Sequence, residues 1–136
     1  MNGIEIVETQ GISVEQILEL YEANQWSSAK KPTALYKALM NSHSLVSAWD
    51  GPKLVGLANA ISDGHLMVYF PHLLVLPAYQ GKGIGKLIME RMEEKYRNFH
   101  MQMLTADGES VGFYEKMGFE KAGKTVPMWK YKGKEH

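Results

Sequence analysis

The chain has 136 residues, 45% of them hydrophobic and 22% charged, values that suit one compact domain (1–136) and argue against a disordered segment. Fifteen Lys and Arg balance fifteen Asp and Glu, so the cationic excess that displaces phosphate counterions is missing and no nucleic acid partner is expected. Cysteine is absent, which excludes disulfides, thiolate metal sites and a Cys nucleophile.

In chain order, Ile4–Glu8 alternates apolar and polar residues and predicts a first strand. Residues 1–8 lack the basic and apolar regions of a signal peptide, and no apolar run approaches the ~18 residues of a bilayer span; no membrane association and a cytoplasmic location are expected. Ser13 and Gln16 have capping-box spacing and open a helix whose apolar face is Val14, Ile17, Leu18 and Tyr21. A polar stretch containing Trp26 follows, then Pro32 at the first position of a second helix striped by Leu35, Ala38 and Leu39.

Residues 45–49 and 54–61 flank Asp50-Gly51 and predict a hairpin. Asp63-Gly64 turns the chain into a long run, 65–76, apolar on both faces as a central strand would be, but interrupted by Pro71, which predicts a bulge or break. Helix is expected over 83–97, strand over 101–105, and a short helix over 110–117 stopped by Gly118. Residues 119–121 and 126–131 are expected to form a last pair of strands. The order β-α-α-β-β-β-α-β-α-β-β describes a mixed α/β sheet.

The informative segment is Val75-Leu76-Pro77-Ala78-Tyr79-Gln80-Gly81-Lys82-Gly83-Ile84-Gly85-Lys86. A strand ends at Leu76 and an amphipathic helix starts near Gly83. Three glycines at alternate positions leave backbone N–H groups uncovered at the positive end of that helix, and Lys82 and Lys86 add charge, an arrangement suited to phosphate or pyrophosphate. The spacing is not a Walker loop, because Leu87 follows Gly85-Lys86 where Ser or Thr is needed, nor the G-x-G-x-x-G of a dinucleotide fold.

Val75, Pro77, Tyr79, Gln80, Gly81, Gly83 and Gly85 match V-x-P-x-[YF]-[QR]-G-x-G-x-G, which resembles the acetyl-CoA motif of the GNAT superfamily of N-acetyltransferases. The segment from Ala106 to Phe119, with Phe113, Tyr114, Lys116 and Gly118, is similar to that family's A-x-x-F-Y-x-K-x-G-F segment. The resemblance implies a mixed, mostly antiparallel central sheet with splayed central strands flanked by helices. It also implies that the diphosphate of acetyl-CoA rests on Gly81, Lys82, Gly83, Ile84, Gly85 and Lys86 beside Gln80. The pantetheine arm would bond to the backbone of Leu73, Leu74 and Val75, with an amide near Leu74 or Val75 polarising the thioester carbonyl.

Tyr114 matches the family's usual general acid. Asp107 stands where many relatives carry an Asn that bonds the coenzyme arm; an ionised Asp accepts but cannot donate. For the base, His72 occupies a position where close relatives often place an acid, and its ordinary pKa near 6.5 suits proton removal from an amine. A hydrogen-bonded structural role for His72 stays open, as does a role for Tyr69 or water. No metal is expected: His43, His65 and His100 lack metal spacing, and His136 is terminal.

The acceptor side should be built from residues 21–36. Trp26 could floor a pocket for an apolar or aromatic amine, stack on a cation, or anchor the core; the region resembles small bacterial relatives of aralkylamine acetyltransferases. The expected partners are acetyl-CoA and a small-molecule amine, with a peptide or protein N-acetyltransferase and a catalytically weak acyl-CoA sensor as alternatives. Residues 126–131, with Met128 and Trp129, are an apolar strand suited to pairing in a homodimer.

Overall fold

A computed structural model describes residues 3–8 and 11–132; His136 lies outside the described residues. Strand β1 (Ile4–Glu8) is followed by helix α1 (Val14–Ala23), a 3-10 turn (Ser27–Lys30) and helix α2 (Pro32–Met40). Ser13 accepts the amide of Gln16 at 3.2 Å, as the capping spacing predicts. The Gln16 side chain does not return the bond. It donates instead to the Pro52 carbonyl at 2.9 Å, docking α1 on the tip of the next hairpin. In α2, Leu35 and Leu39 are buried one turn apart, whereas Ala38 faces solvent and is not part of the expected stripe.

Strands β2 (Ser44–Asp50) and β3 (Lys53–Ser62) form the hairpin, with Asp50 opposite Lys53 and only Gly51 and Pro52 in the loop. Beyond the sequence reading, a bulge lies between Ala48 and Trp49. Strand β1 pairs antiparallel with β2. The predicted third run divides in two: β4 (Met67–Tyr69) pairs with Ile61 and Ser62, and β5 (Leu73–Val75) pairs with Gly56 to Ala58. The break between them contains Pro71, where the sequence places it. Asn59 bridges the gap: its amide donates to the His72 carbonyl and its Oδ1 accepts the His72 amide, both at 3.2 Å.

Helix α3 (Ile84–Tyr96) packs on β2 and β3 through Ile84, Ile88, Met89, Met92 and Tyr96, all buried. The approach is closest at Gly56, where a Cβ would lie 3.0 Å from Ile88 Cδ1 and 3.2 Å from the Leu74 carbonyl oxygen. Strand β6 (Met101–Met103) runs parallel to β4, the one parallel pairing among the described residues in an otherwise antiparallel path β1-β2-β3-β4-β6. After the last rung, from the Phe70 amide to the Met103 carbonyl at 3.0 Å, β6 has no pairing with β5, so the sheet forks. Helix α4 (Val111–Lys116) follows beside the fork.

The expected final strands do not form. Among the described residues, 119–121 and 126–131 belong to no ladder, and every residue of 120–132 is exposed. A strand needs a neighbour to take its amides and carbonyls, and an apolar β-prone run supplies only one side of that pairing.

Candidate active site

The turn between β5 and α3 is shaped by two left-handed residues, Gly81 (φ +78°) and Gly83 (φ +85°), conformations that disfavour any side chain. A Cβ at either would meet nothing within 4 Å, so both glycines border open space. Gly83 caps α3 without a side-chain acceptor, and no acid occupies the first turn. The leading amides of a helix of 13 residues therefore meet solvent at its positive end, beside exposed Lys82 and Lys86. The Lys82 ammonium lies 5.5 Å from the Tyr79 ring centroid, and the Tyr79 hydroxyl donates to Asp50 Oδ2 at 2.6 Å. Ile84 is buried, and Gly85 faces Phe113 on α4.

Gln80 braces this turn from behind. Its Nε2 donates to the Val75 carbonyl at 2.9 Å and to Asn24 Oδ1 at 3.2 Å, and Asn24 Nδ2 donates to the same carbonyl at 3.1 Å. The end of α1 and the glycine turn thus share one acceptor. On β5, bonds from the Leu76 amide to the Val55 carbonyl and from the Asn59 amide to the His72 carbonyl fix the alternation. Residues 72, 74 and 76 face β3, and the amides of Leu73 and Val75 face the fork. Leu74 is turned into the ladder.

A cavity of about 620 Å³ fills the fork, lined by Leu73, Tyr69, Asp107 and Tyr114 with Trp26 and Trp129. Tyr114 packs edge-on against Phe113 (5.0 Å) and Phe119 (5.9 Å). Burial, and secondarily the carboxylate of Asp107, push its phenol up to about 12, so it carries its proton at neutral pH. The Tyr69 hydroxyl bonds to Thr105 Oγ1 at 3.1 Å.

His72 opens on a second, smaller hollow of about 270 Å³ with Ser27, Lys31 and Tyr131. Trp26 lines both hollows, its ring edge-on to His72 at 4.9 Å. The structure thus gathers Tyr114, Asp107, Tyr69 and Leu73 at one cavity and sets His72 at its neighbour. His72 Nδ1 is 2.7 Å from the hydroxyl of Tyr21. Burial raises the pKa of Tyr21 far above the ordinary phenol range, and it too keeps its proton. In the sequence Tyr21 belongs to the apolar stripe of α1 and opens the expected acceptor region, 21–36; a tyrosine in such a stripe signals a hydroxyl that needs a partner. Asn24 and the lining residues Thr105, Ser110, Pro127 and Met128 carried no comparable signal.

His43 Nδ1 lies 2.7 Å from the Tyr96 hydroxyl, and His65 and His100 are exposed. Among the described residues no group of three or more His, Asp or Glu could hold a metal ion. Nor is any helix of those residues long and apolar enough to cross a membrane.

Residues 8–128 match the family model of the acetyltransferase (GNAT) domain. The N-acetyltransferase ycf52 of Pyropia yezoensis is 31% identical over 81% of this chain and 70% of its own length. The N-alpha-acetyltransferase RimI of Mycobacterium tuberculosis is 30% identical over 68% of this chain and 62% of its own. Among solved structures, a GNAT-family acetyltransferase of Streptococcus pneumoniae TIGR4 superposes with a TM-score of 0.83 at 31% identity, covering 95% of this chain and 98% of that one. A forked, mostly antiparallel sheet with a bare glycine turn at the mouth of its long helix accords with these matches, and the chain belongs to the GNAT family of N-acetyltransferases.

Proposed function

We propose that the 136 residues act as one domain that uses acetyl-CoA to acetylate the amine of a small molecule by direct attack. The carrying observation is the pair of left-handed glycines before α3, which border open space, on the strand-to-helix connection that follows Leu73, a residue lining the cavity of the fork. When bound, acetyl-CoA supplies an activated thioester. The amides of Gly81 to Lys86 would hold its diphosphate, with Lys82 and Lys86 adding charge. The amides of Leu73 and Val75, which point away from β3, would bond the arm and polarise the thioester carbonyl.

Tyr114 supplies the proton that the departing thiolate requires. A thiol of ordinary pKa about 8.5 needs only a modest acid, and a phenol held protonated by burial meets that need. His72 receives the ammonium proton through water from the neighbouring hollow, held in position by Tyr21. Trp26 and Tyr69 border the acceptor. A second reading, acetylation of a peptide N-terminus, is favoured by the similarity to the N-alpha-acetyltransferase RimI.

The test is a panel of small amines and short peptides with acetyl-CoA, read by free thiol release. Turnover on small amines above peptides is expected, and the reverse order selects the second reading. Tyr114→Phe should lower kcat by about 100-fold or more at similar coenzyme affinity; an unchanged kcat removes it as the acid. Acetyl-CoA that raises Tm without thiol release from any acceptor would mark a binding module instead.

A further inference from the structure

Lys and Arg balance Asp and Glu over the whole chain, but the two segments that meet at the smaller hollow carry charge of one sign. Residues 23–49 hold Lys30, Lys31 and Lys37 and no Asp or Glu. Residues 121–132 hold Lys121, Lys124, Lys130 and Lys132, again with no acid. The hydroxyls of Ser27 and Tyr131 join the two segments at 2.7 Å. Both residues line the hollow of about 270 Å³, and Lys31 and Lys132 line it with them.

Neither Lys31 nor Lys132 has an acidic partner among the described residues, where the ion pairs are Lys53 with Glu19 and Lys95 with Glu8. No Asp or Glu lines this hollow either. Two ammonium groups at one small concavity repel each other, and an anion between them relieves that repulsion. The larger cavity has the opposite sign: among the described residues that line it, Asp107 alone is charged. Trp26 belongs to both linings, so a molecule lying along the indole meets an acidic end beside Tyr114 and a cationic end beside His72.

We propose that the acceptor is an anionic amine, whose carboxylate or phosphate is held by Lys31 and Lys132 while its amine faces Tyr114 and Asp107. The hydroxyl of Ser28, also in the lining, is a further donor to the anion. The inference rests on the acetyl transfer proposed above and narrows its acceptor from amines in general to those that carry an acid. The transfer itself is unaltered: a nitrogen–carbon bond forms, the carbon–sulfur bond breaks, the thiolate gains a proton and the ammonium loses one. Both lysines are exposed, so each contributes modestly and salt screens the effect.

The experiment is steady-state kinetics with acetyl-CoA and three acceptors on one three-carbon chain: propylamine, 4-aminobutyrate and 3-aminopropyl phosphate. At low ionic strength, kcat/KM for at least one of the acids should exceed that for propylamine about tenfold. The ratio between the two acids separates carboxylate from phosphate. Lys31→Met and Lys132→Met should each cut the preference about threefold, with kcat/KM for propylamine unchanged. Lys31→Arg should retain it, and ~0.5 M salt should abolish it.

Equal kcat/KM for the three acceptors, or a preference that survives both lysine substitutions, overturns the inference and leaves acetyl transfer to amines standing. Thiol release from no acceptor at all fails the transfer instead. Calorimetric titration of 4-aminobutyrate and 3-aminopropyl phosphate into the full chain then decides the anion site by itself. Binding weakened by Lys31→Met supports the site, and binding that is absent or unweakened overturns it.

Discussion

The two sides of the fork are built differently. The side proposed to hold the coenzyme, from Leu73 to Met92, is contiguous in sequence, and its buried residues Leu74, Val75, Ile84, Ile88 and Met92 belong to the hydrophobic core. The side proposed for the acceptor joins Trp26 and Tyr69 to Met128 and Trp129, and the last two are largely exposed. Under the proposed function, a diphosphate would be held by backbone donors tied to the core. An amine would be met by side chains from distant segments, which can be exchanged without disturbing the sheet.

Three substitutions test that contrast, in order of expected effect. Gly83→Glu places a carboxylate at a left-handed residue beside the open amides and should weaken acetyl-CoA binding about 100-fold or more, read by calorimetry. Retained affinity would move the diphosphate elsewhere. Trp26→Ala should raise the acceptor KM about tenfold while coenzyme affinity holds. If both constants moved together, the two sides would not be separable.

The smallest effect concerns Asp107. Its carboxylate is the lesser of two causes that raise the Tyr114 pKa, so Asp107→Asn should move the alkaline limb of the pH–rate profile downward. Burial persists, so the limb should stay above the ordinary phenol value near 10. The sign follows from linkage: a raised folded pKa means the proton is held below 10 and lost only as pH climbs through about 12. An upward or unmoved limb would detach Asp107 from the acid.

What was legible in the sequence was local. Glycine spacing, the strand break at Pro71 and the stop at Gly118 each depend on a residue's own backbone preferences. What escaped depends on partners remote in the chain. Tyr21 meets His72 across 51 positions, and Gln80 meets Asn24 across 56. Residues 126–131 have the composition of a strand but join no ladder among the described residues, because pairing depends on a second segment as much as on the first. The same limit hid the half-used capping box, where Gln16 chose the Pro52 carbonyl over its own helix end.

Trp26 forms part of the wall of both hollows, about 620 and about 270 Å³. It is the residue common to both linings, so a change at that single indole alters the surroundings of Tyr114 and of His72 at one stroke.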